Sequence, residues 1–217
     1  MREQPSDVTL IKAVFFDFDG VLTRDKTGSL TTLRYLSEQT GIDYVRIRGA
    51  FKPHNAGLIA GTTTHEEIWP NVCRELNCTI DLALLRKAFE STPLNDGMFR
   101  LARKLRKHLS VGIITDNKKD RIDHLKHYAR LTSIFDPIVV SAEVGSGKRS
   151  TPIFERALAY LNITPGECVF IDNTPENLDV PNALGMGTIY FNDEQNNLGQ
   201  LIATLDSRFG IRVATDA

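Results

Sequence analysis

Four short stretches of the chain carry side chains able to act on an anionic group. Asp17 and Asp19 stand two apart in Asp17-Phe-Asp19-Gly, Thr115 and Asp116 are adjacent, Lys148 follows Gly145-Ser-Gly147, and Asp172 precedes Asn173. A carboxylate that attacks phosphorus must approach a dianion, and a divalent cation on hard oxygen donors, usually Mg²⁺, removes that repulsion. A second carboxylate two residues further on can protonate a leaving oxygen and then deprotonate the attacking water. The Thr115 hydroxyl, neighbouring backbone N–H groups and the Lys148 ammonium can hold the other phosphoryl oxygens as their charge redistributes. Singly, each acid has a plainer use in capping a helix or pairing with a surface lysine. The ordered set carries the chemistry.

Such residues work only if the fold gathers them. Lys12-Ala-Val-Phe-Phe-Asp17 is a continuous rather than alternating apolar run, the pattern of a strand buried on both faces of a parallel sheet. Similar runs at Val111-Gly-Ile-Ile-Thr115, Pro137-Ile-Val-Val-Ser141, Cys168-Val-Phe-Ile-Asp172 and Gly187-Thr-Ile-Tyr-Phe191 predict five buried strands. Between them, apolar residues recur at helical spacing: Met98, Leu101, Ala102 and Leu105; Ile122, Leu125 and Ala129; Ile153, Phe154, Ala157, Leu158 and Leu161. Thr151-Pro152 and Thr174-Pro175 read as helix caps followed by a first-turn proline, Gly185 as a helix end, and Pro181 as a kink. The alternation predicts an α/β fold, a doubly wound parallel sheet in three layers, in which ligands collect at the carboxyl ends of the strands.

From Thr23 to about Asn95 the pattern is helical only, through Leu30, Leu33 and Leu36, then Ile68, Val72 and Leu76, then Leu82, Leu85 and Phe89. The expected organisation is a core from residues 1–22 and 96–217, interrupted by a helical unit over 23–95. Within that unit Lys52, His54, Asn55 and Trp69 are candidates for facing a ligand, with Trp69 read first as interior packing.

Composition limits the alternatives. With 26 basic and 27 acidic residues among 217, the net charge of -1 leaves no broad basic field for nucleic acid. No apolar run approaches the length that crosses a bilayer, and Met1 to Asp7 lacks an apolar signal-type stretch, so a cytoplasmic protein is expected. Three cysteines, Cys73, Cys78 and Cys168, are an odd number in no zinc-like spacing and read as free thiols. His124 and His127 read as a solvated helix face.

At this point the motifs resemble those of the haloacid dehalogenase-like superfamily. Asp17-Phe-Asp19-Gly-Val-Leu-Thr is similar to its first motif, Thr115 to its second, Lys148 to its third and Asp172-Asn-Thr-Pro-Glu-Asn177 to its fourth. The resemblance implies a Rossmann-like core with an inserted helical cap of the C1 type. It also implies a Mg²⁺-dependent phosphatase that hydrolyses a small phosphorylated metabolite, such as a sugar phosphate or nucleotide, through an aspartyl-phosphate on Asp17. Asp19 would then be the general acid/base, with its backbone carbonyl on the metal; Thr115, Asp116 and Lys148 would hold phosphate; and Asp17, Asp19, Asp172 and Asn173 would form the metal set. The acid at position 19 favours the phosphatase branch, since the dehalogenases lack it.

The sequence departs from the pattern in three places. Asn173 stands where a second acid is usual, and an amide oxygen coordinates without adding charge. Lys148-Arg-Ser-Thr-Pro152 replaces a stiffer turn, and Asp116 replaces an Asn, so its carboxylate is expected to turn away from phosphate and leave only its N–H. A phosphomutase, or a phospholigand-binding protein weakened by Asn173, are the alternatives. Substrate and oligomeric state stay open.

Overall fold

The computed structural model describes residues 10–213. Its sheet contains β1 (Ala13–Phe16), β2 (Ser110–Thr115), β3 (Ile138–Val140), β4 (Cys168–Asp172) and β5 (Gly187–Tyr190), all parallel in the order β3-β2-β1-β4-β5. The five runs expected from the sequence are these five strands. The order reverses about β1, whose carboxyl end is therefore the switch point where a cleft opens.

β1 is buried along its length, and alternate residues serve opposite layers. Val14 and Phe16 join Val111, Ile113, Val169 and Ile171 in a core completed by α6 (Asp96–Leu105), α7 (Lys119–Tyr128) and α11 (Leu198–Phe209). Ala13 and Phe15 join Ile114, Cys168 and Phe170 on the other face, against Ile153, Phe154 and Ala157 of α9 (Pro152–Leu161). Residues 1–9, which include the N-terminal stretch read above, lie outside the described residues.

The insertion forms α1 (Gly28–Thr40), α2 (Tyr44–Phe51), α3 (Asn55–Ala60), α4 (His65–Leu76) and α5 (Leu82–Glu90). They close on a separate apolar core that includes Leu33, Leu36, Ile47, Ile68, Val72, Leu85 and Phe89. Trp69 belongs to this interior, its Nε1 donating to the Ile80 carbonyl at 2.7 Å. The insert leaves and rejoins the core through a single antiparallel bridge, Thr23 to Leu94, flanked by Arg24 N–H to Pro93 O at 2.8 Å and Asn95 N–H to Leu22 O at 2.9 Å.

The insert also rests on the core along a second seam, formed by α7 and by α8 (Ser141–Val144). Ser141 Oγ donates to Ile59 O at 2.8 Å, and His65 Nδ1 lies 2.7 Å from Asp120 Oδ2. Gly61 has φ +72°, and a Cβ there would fall 1.9 Å from the Ala142 carbonyl oxygen, so only glycine permits this approach. His124, expected on a solvated face, instead pairs with Glu90 of α5 at 3.0 Å and stacks on Tyr128. Proximity of the insert, invisible in a one-dimensional pattern, draws it in.

Two cap expectations fail. Thr151 adopts a helical backbone and caps nothing with its side chain; its carbonyl accepts from Phe154 and Glu155 instead. Thr174 likewise makes no side-chain cap, and the following segment is a short turn Pro175–Asn177 and then α10 (Asp179–Ala183) containing Pro181, rather than one kinked helix. The three cysteines are free, and among the described residues no helix is long and apolar enough to cross a membrane.

Candidate active site

Asp17 follows directly from β1, held there because its N–H donates to Ile171 O at 2.8 Å. One carboxylate oxygen, Oδ1, accepts from Phe18 N–H at 2.7 Å and lies 2.9 Å from Lys148 Nζ. Oδ2 has no partner among the described residues. Burial of this carboxyl carries it up to about 7; Lys148 pulls it down, and the charge of Asp172 pushes it up again. Lys148 also bonds Asp172 Oδ2 at 2.6 Å. Its burial disfavours the ammonium, but the carboxylates of Asp17 and Asp172 outweigh that and raise it above the ordinary lysine range.

Asp172 is 0% exposed, and both of its oxygens are engaged: by Lys148, by Thr174 N–H at 2.7 Å and by the Asn177 amide at 3.2 Å. It stands behind Lys148 and does not line the cleft, so its place is that of an anchor for the lysine rather than an open ligand. Asp17, Asp19, Thr115, Asp116, Lys148 and Asn173 do line one cleft, of about 670 Å³, beneath the helical insert. The Asp116 carboxylate turns to the Lys148 backbone, accepting its N–H at 2.9 Å; Gly147 allows this, since a Cβ there would sit 2.9 Å from Asp116 Oδ1.

Asp19 is held by a residue that the motif reading missed. Arg121 NH1 donates to Asp19 Oδ2 at 2.9 Å and NH2 to Oδ1 at 3.0 Å, a bidentate pair, while Asn117 adds a 2.9 Å bond to Oδ2. The guanidinium is 1% exposed, reaches Asn117 Oδ1 at 3.0 Å and Thr92 Oγ1 at 3.3 Å, and lies over the Phe18 ring. Gly28 leaves it room: a Cβ there would fall 2.1 Å from the guanidinium carbon. Arg121 and Leu125 lie one turn apart on the buried stripe of α7, and a basic residue in such a stripe is the signal that could have found Arg121. Of the insert candidates, Lys52 and Asn55 line the cleft, whereas His54 and Trp69 do not.

The donor set was weighed against a divalent cation. Asn173 is buried against Gly20, whose φ is +82° and where a Cβ would fall 2.2 Å from the amide nitrogen. That Nδ2 is buried with no partner. Half a turn of the amide presents its oxygen instead, so an unmatched polar group sits beside the unclaimed Asp17 oxygen's motif partner Gly20 with hard-donor chemistry available. Asp17 and Asn173, both lining the cleft, thus offer donors that fit a Mg²⁺-type ion, with one formal carboxylate fewer than two adjacent acids would supply.

Comparison with known proteins agrees with this arrangement. The haloacid dehalogenase-like hydrolase family matches residues 11–185. The chain is 26% identical over 221 residues to bifunctional epoxide hydrolase 2 of Rattus norvegicus, covering 92% of this chain and 40% of that protein, so it spans well under half of that relative. It is 24% identical to N-acylneuraminate-9-phosphatase of Mus musculus, covering 84% and 83% of the two chains. A HAD-family enzyme of Bacteroides thetaiotaomicron superposes with TM-score 0.71 at 19% identity, covering 88% of this chain and 98% of that one. The same enzyme has been solved in complex with magnesium and inorganic phosphate, and that structure superposes at TM-score 0.67 and 18% identity over 83% and 93% of the chains. With a family match running from β1 to beyond α10, the chain belongs to the haloacid dehalogenase-like hydrolases.

Proposed function

We propose that the protein is a Mg²⁺-dependent phosphomonoester hydrolase acting on a small phosphorylated metabolite, with a core of residues 1–22 and 96–217 and a cap over 23–95. The observation that carries this reading is Asp17: one carboxylate oxygen is fixed by Phe18 N–H and Lys148, and the other has no partner among the described residues, in a residue that lines the same cleft as Thr115. The free oxygen attacks phosphorus while the ester oxygen departs opposite, giving an aspartyl-phosphate. Asp19, paired with Arg121 as a carboxylate at rest, takes up a proton from solvent on leaving that pair, gives it to the leaving oxygen and takes one from the water that next attacks phosphorus, releasing phosphate and restoring Asp17. Thr115 and Lys148 hold the non-bridging oxygens, the Asp116 N–H assists, and Arg121 and Asn117 set the position of Asp19. Bound Mg²⁺, held by Asp17, the Asp19 carbonyl and Asn173, supplies positive charge that offsets repulsion between the phosphate and the attacking carboxylate.

Release of p-nitrophenol from p-nitrophenyl phosphate, with and without Mg²⁺, tests this. Wild type is expected to turn over only with Mg²⁺, and Asp17→Asn to lose at least a thousandfold; equal turnover by the variant removes Asp17 as nucleophile. The neutral Asn173 supports one other reading, a phospholigand-binding protein with weakened chemistry. That reading wins if turnover requires Asn173→Asp.

A further inference from the structure

Lys118 stands at the foot of α7, is 8% exposed and lines the same cleft. Its ammonium donates to a neutral hydroxyl, Ser29 Oγ, at 2.6 Å, and it forms no ion pair with any described residue. A buried charge matched only by a neutral group leaves charge that its surroundings do not balance. Burial, then the nearby Arg121, pull its pKa down to about 8; Asp19 and Asp120 act the other way, but Asp19 is occupied by Arg121, and Asp120 by His65 and the Arg121 N–H.

The backbone around it has the same sign. Lys118 is the residue before the first turn of α7, and Ser29 lies in the first turn of the 13-residue α1, so the positive ends of two helices meet at this corner. Further out, Lys26, Arg48 and Lys52 line the cleft without an ion-pair partner among the described residues. The acids of the cleft are already occupied: Asp17 by Lys148, Asp19 by Arg121, and Asp116 by the Lys148 N–H.

We propose that the Lys118–Ser29 corner binds a carboxylate of the substrate, so that the preferred substrates are phosphomonoesters of hydroxy acids. One ammonium, one hydroxyl donor and converging helix N-termini suit a single negative charge at one end of a molecule whose phosphate sits at Asp17 and Thr115. The proposal rests on the hydrolase reading above.

D-3-Phosphoglycerate and sn-glycerol 1-phosphate share the configuration at C2 and differ at one end, a carboxylate against a hydroxymethyl group, and make a matched pair of probes. Wild type is expected to show at least tenfold higher kcat/KM for phosphoglycerate, and Lys118→Met to bring the ratio below twofold, with Lys118→Arg restoring part of it. Calorimetric binding of both compounds to Asp17→Asn, which cannot form the phosphoenzyme, should show the same tenfold ratio, lost in Asp17→Asn/Lys118→Met. A melting temperature of Lys118→Met at or above wild type shows that the variant is folded; Lys118→Gln replaces it otherwise. Equal treatment of the two compounds by wild type, in turnover and in binding, overturns the proposal, as does a ratio untouched by loss of Lys118. Discrimination in binding without phosphate release from either compound upholds the carboxylate corner and overturns the hydrolase reading instead.

Discussion

Cutting the Asp19–Arg121 pair from both sides is expected to destabilise the protein by clearly less than the two single cuts summed. The guanidinium is 1% exposed and the carboxylate 15%, joined by bonds of 2.9 and 3.0 Å, so the guanidinium cannot be rehydrated in place when its partner is lost, and the carboxylate only from its cleft side. Removing one partner of a buried pair costs about 3–5 kcal/mol, which for a chain of this size is a fall in Tm of about 6–20 °C. Arg121→Met leaves the carboxylate with the Asn117 amide alone and removes one of the two donors to Asn117 Oδ1, the Lys118 N–H remaining, placing it toward the upper end. Asp19→Asn keeps one acceptor for the guanidinium and belongs toward the lower end. The double variant removes both charges, so the cycle should return a coupling of about 2–3 kcal/mol. Urea unfolding of the four proteins in Mg²⁺-free buffer measures it. A coupling under about 0.5 kcal/mol, or Arg121→Met within about 1 kcal/mol of wild type, would refute the argument that the two charges are desolvated together.

Asn173→Asp restores a charge beside the cation site, and the Mg²⁺ concentration giving half-maximal p-nitrophenyl phosphate hydrolysis should fall at least fivefold; an unchanged value detaches Asn173 from the metal. Lys118, lowered to about 8 from an ordinary 10.5, is destabilising as a cation by about 3 kcal/mol. The folded chain binds fewer protons than the unfolded one between about pH 8 and 10.5, so this burden is present below pH 8 and stability recovers as pH rises through that window. At pH 7, Lys118→Met should therefore melt higher by about 4–8 °C after loss of the Ser29 hydrogen bond, and a lower Tm contradicts the unbalanced charge. By the same titration, KM for phosphoglycerate should rise above pH 8 while that for sn-glycerol 1-phosphate stays level. Gly61→Ala forces a side chain into a left-handed conformation, about 1–2 kcal/mol, before its contact with the Ala142 carbonyl is counted. Limited proteolysis between α3 and α4 should accelerate at least fivefold, and an unchanged rate means the seam does not depend on that approach.

Much of this arrangement could be read from the sequence because strands buried on both faces leave continuous apolar runs, and motif acids sit at their ends. Asp17, Thr115 and Lys148, far apart in the chain, are neighbours because β1, β2 and the loop before α9 share one end of a parallel sheet. Arg121 and Lys118 were overlooked for a physical reason. A basic residue in Lys118-Lys-Asp-Arg121 looks like solvated surface, and only the insert folding over α7 turns it inward. The same cause misplaced His124. Asp172 was legible as a site residue but not in its orientation, since which way a carboxylate points depends on Lys148, Thr174 and Asn177 arriving together.

The Thr23–Leu94 bridge makes the two ends of the insertion adjacent. For the core, some seventy residues, most of them helical, then enter and leave at one point as a hairpin loop does, with the seam on α7 and α8 as their second attachment. A different lid grafted at this point would leave Asp17 and Lys148 on the core but would have to rebuild the contacts with Ser141 and Asp120. The bridge also divides the cleft by origin, with Ser29, Arg48 and Lys52 contributed by the insert, and Lys118 and Arg121 by the core. A transplanted lid therefore inherits an unmatched cation at Lys118 that its own residues must answer.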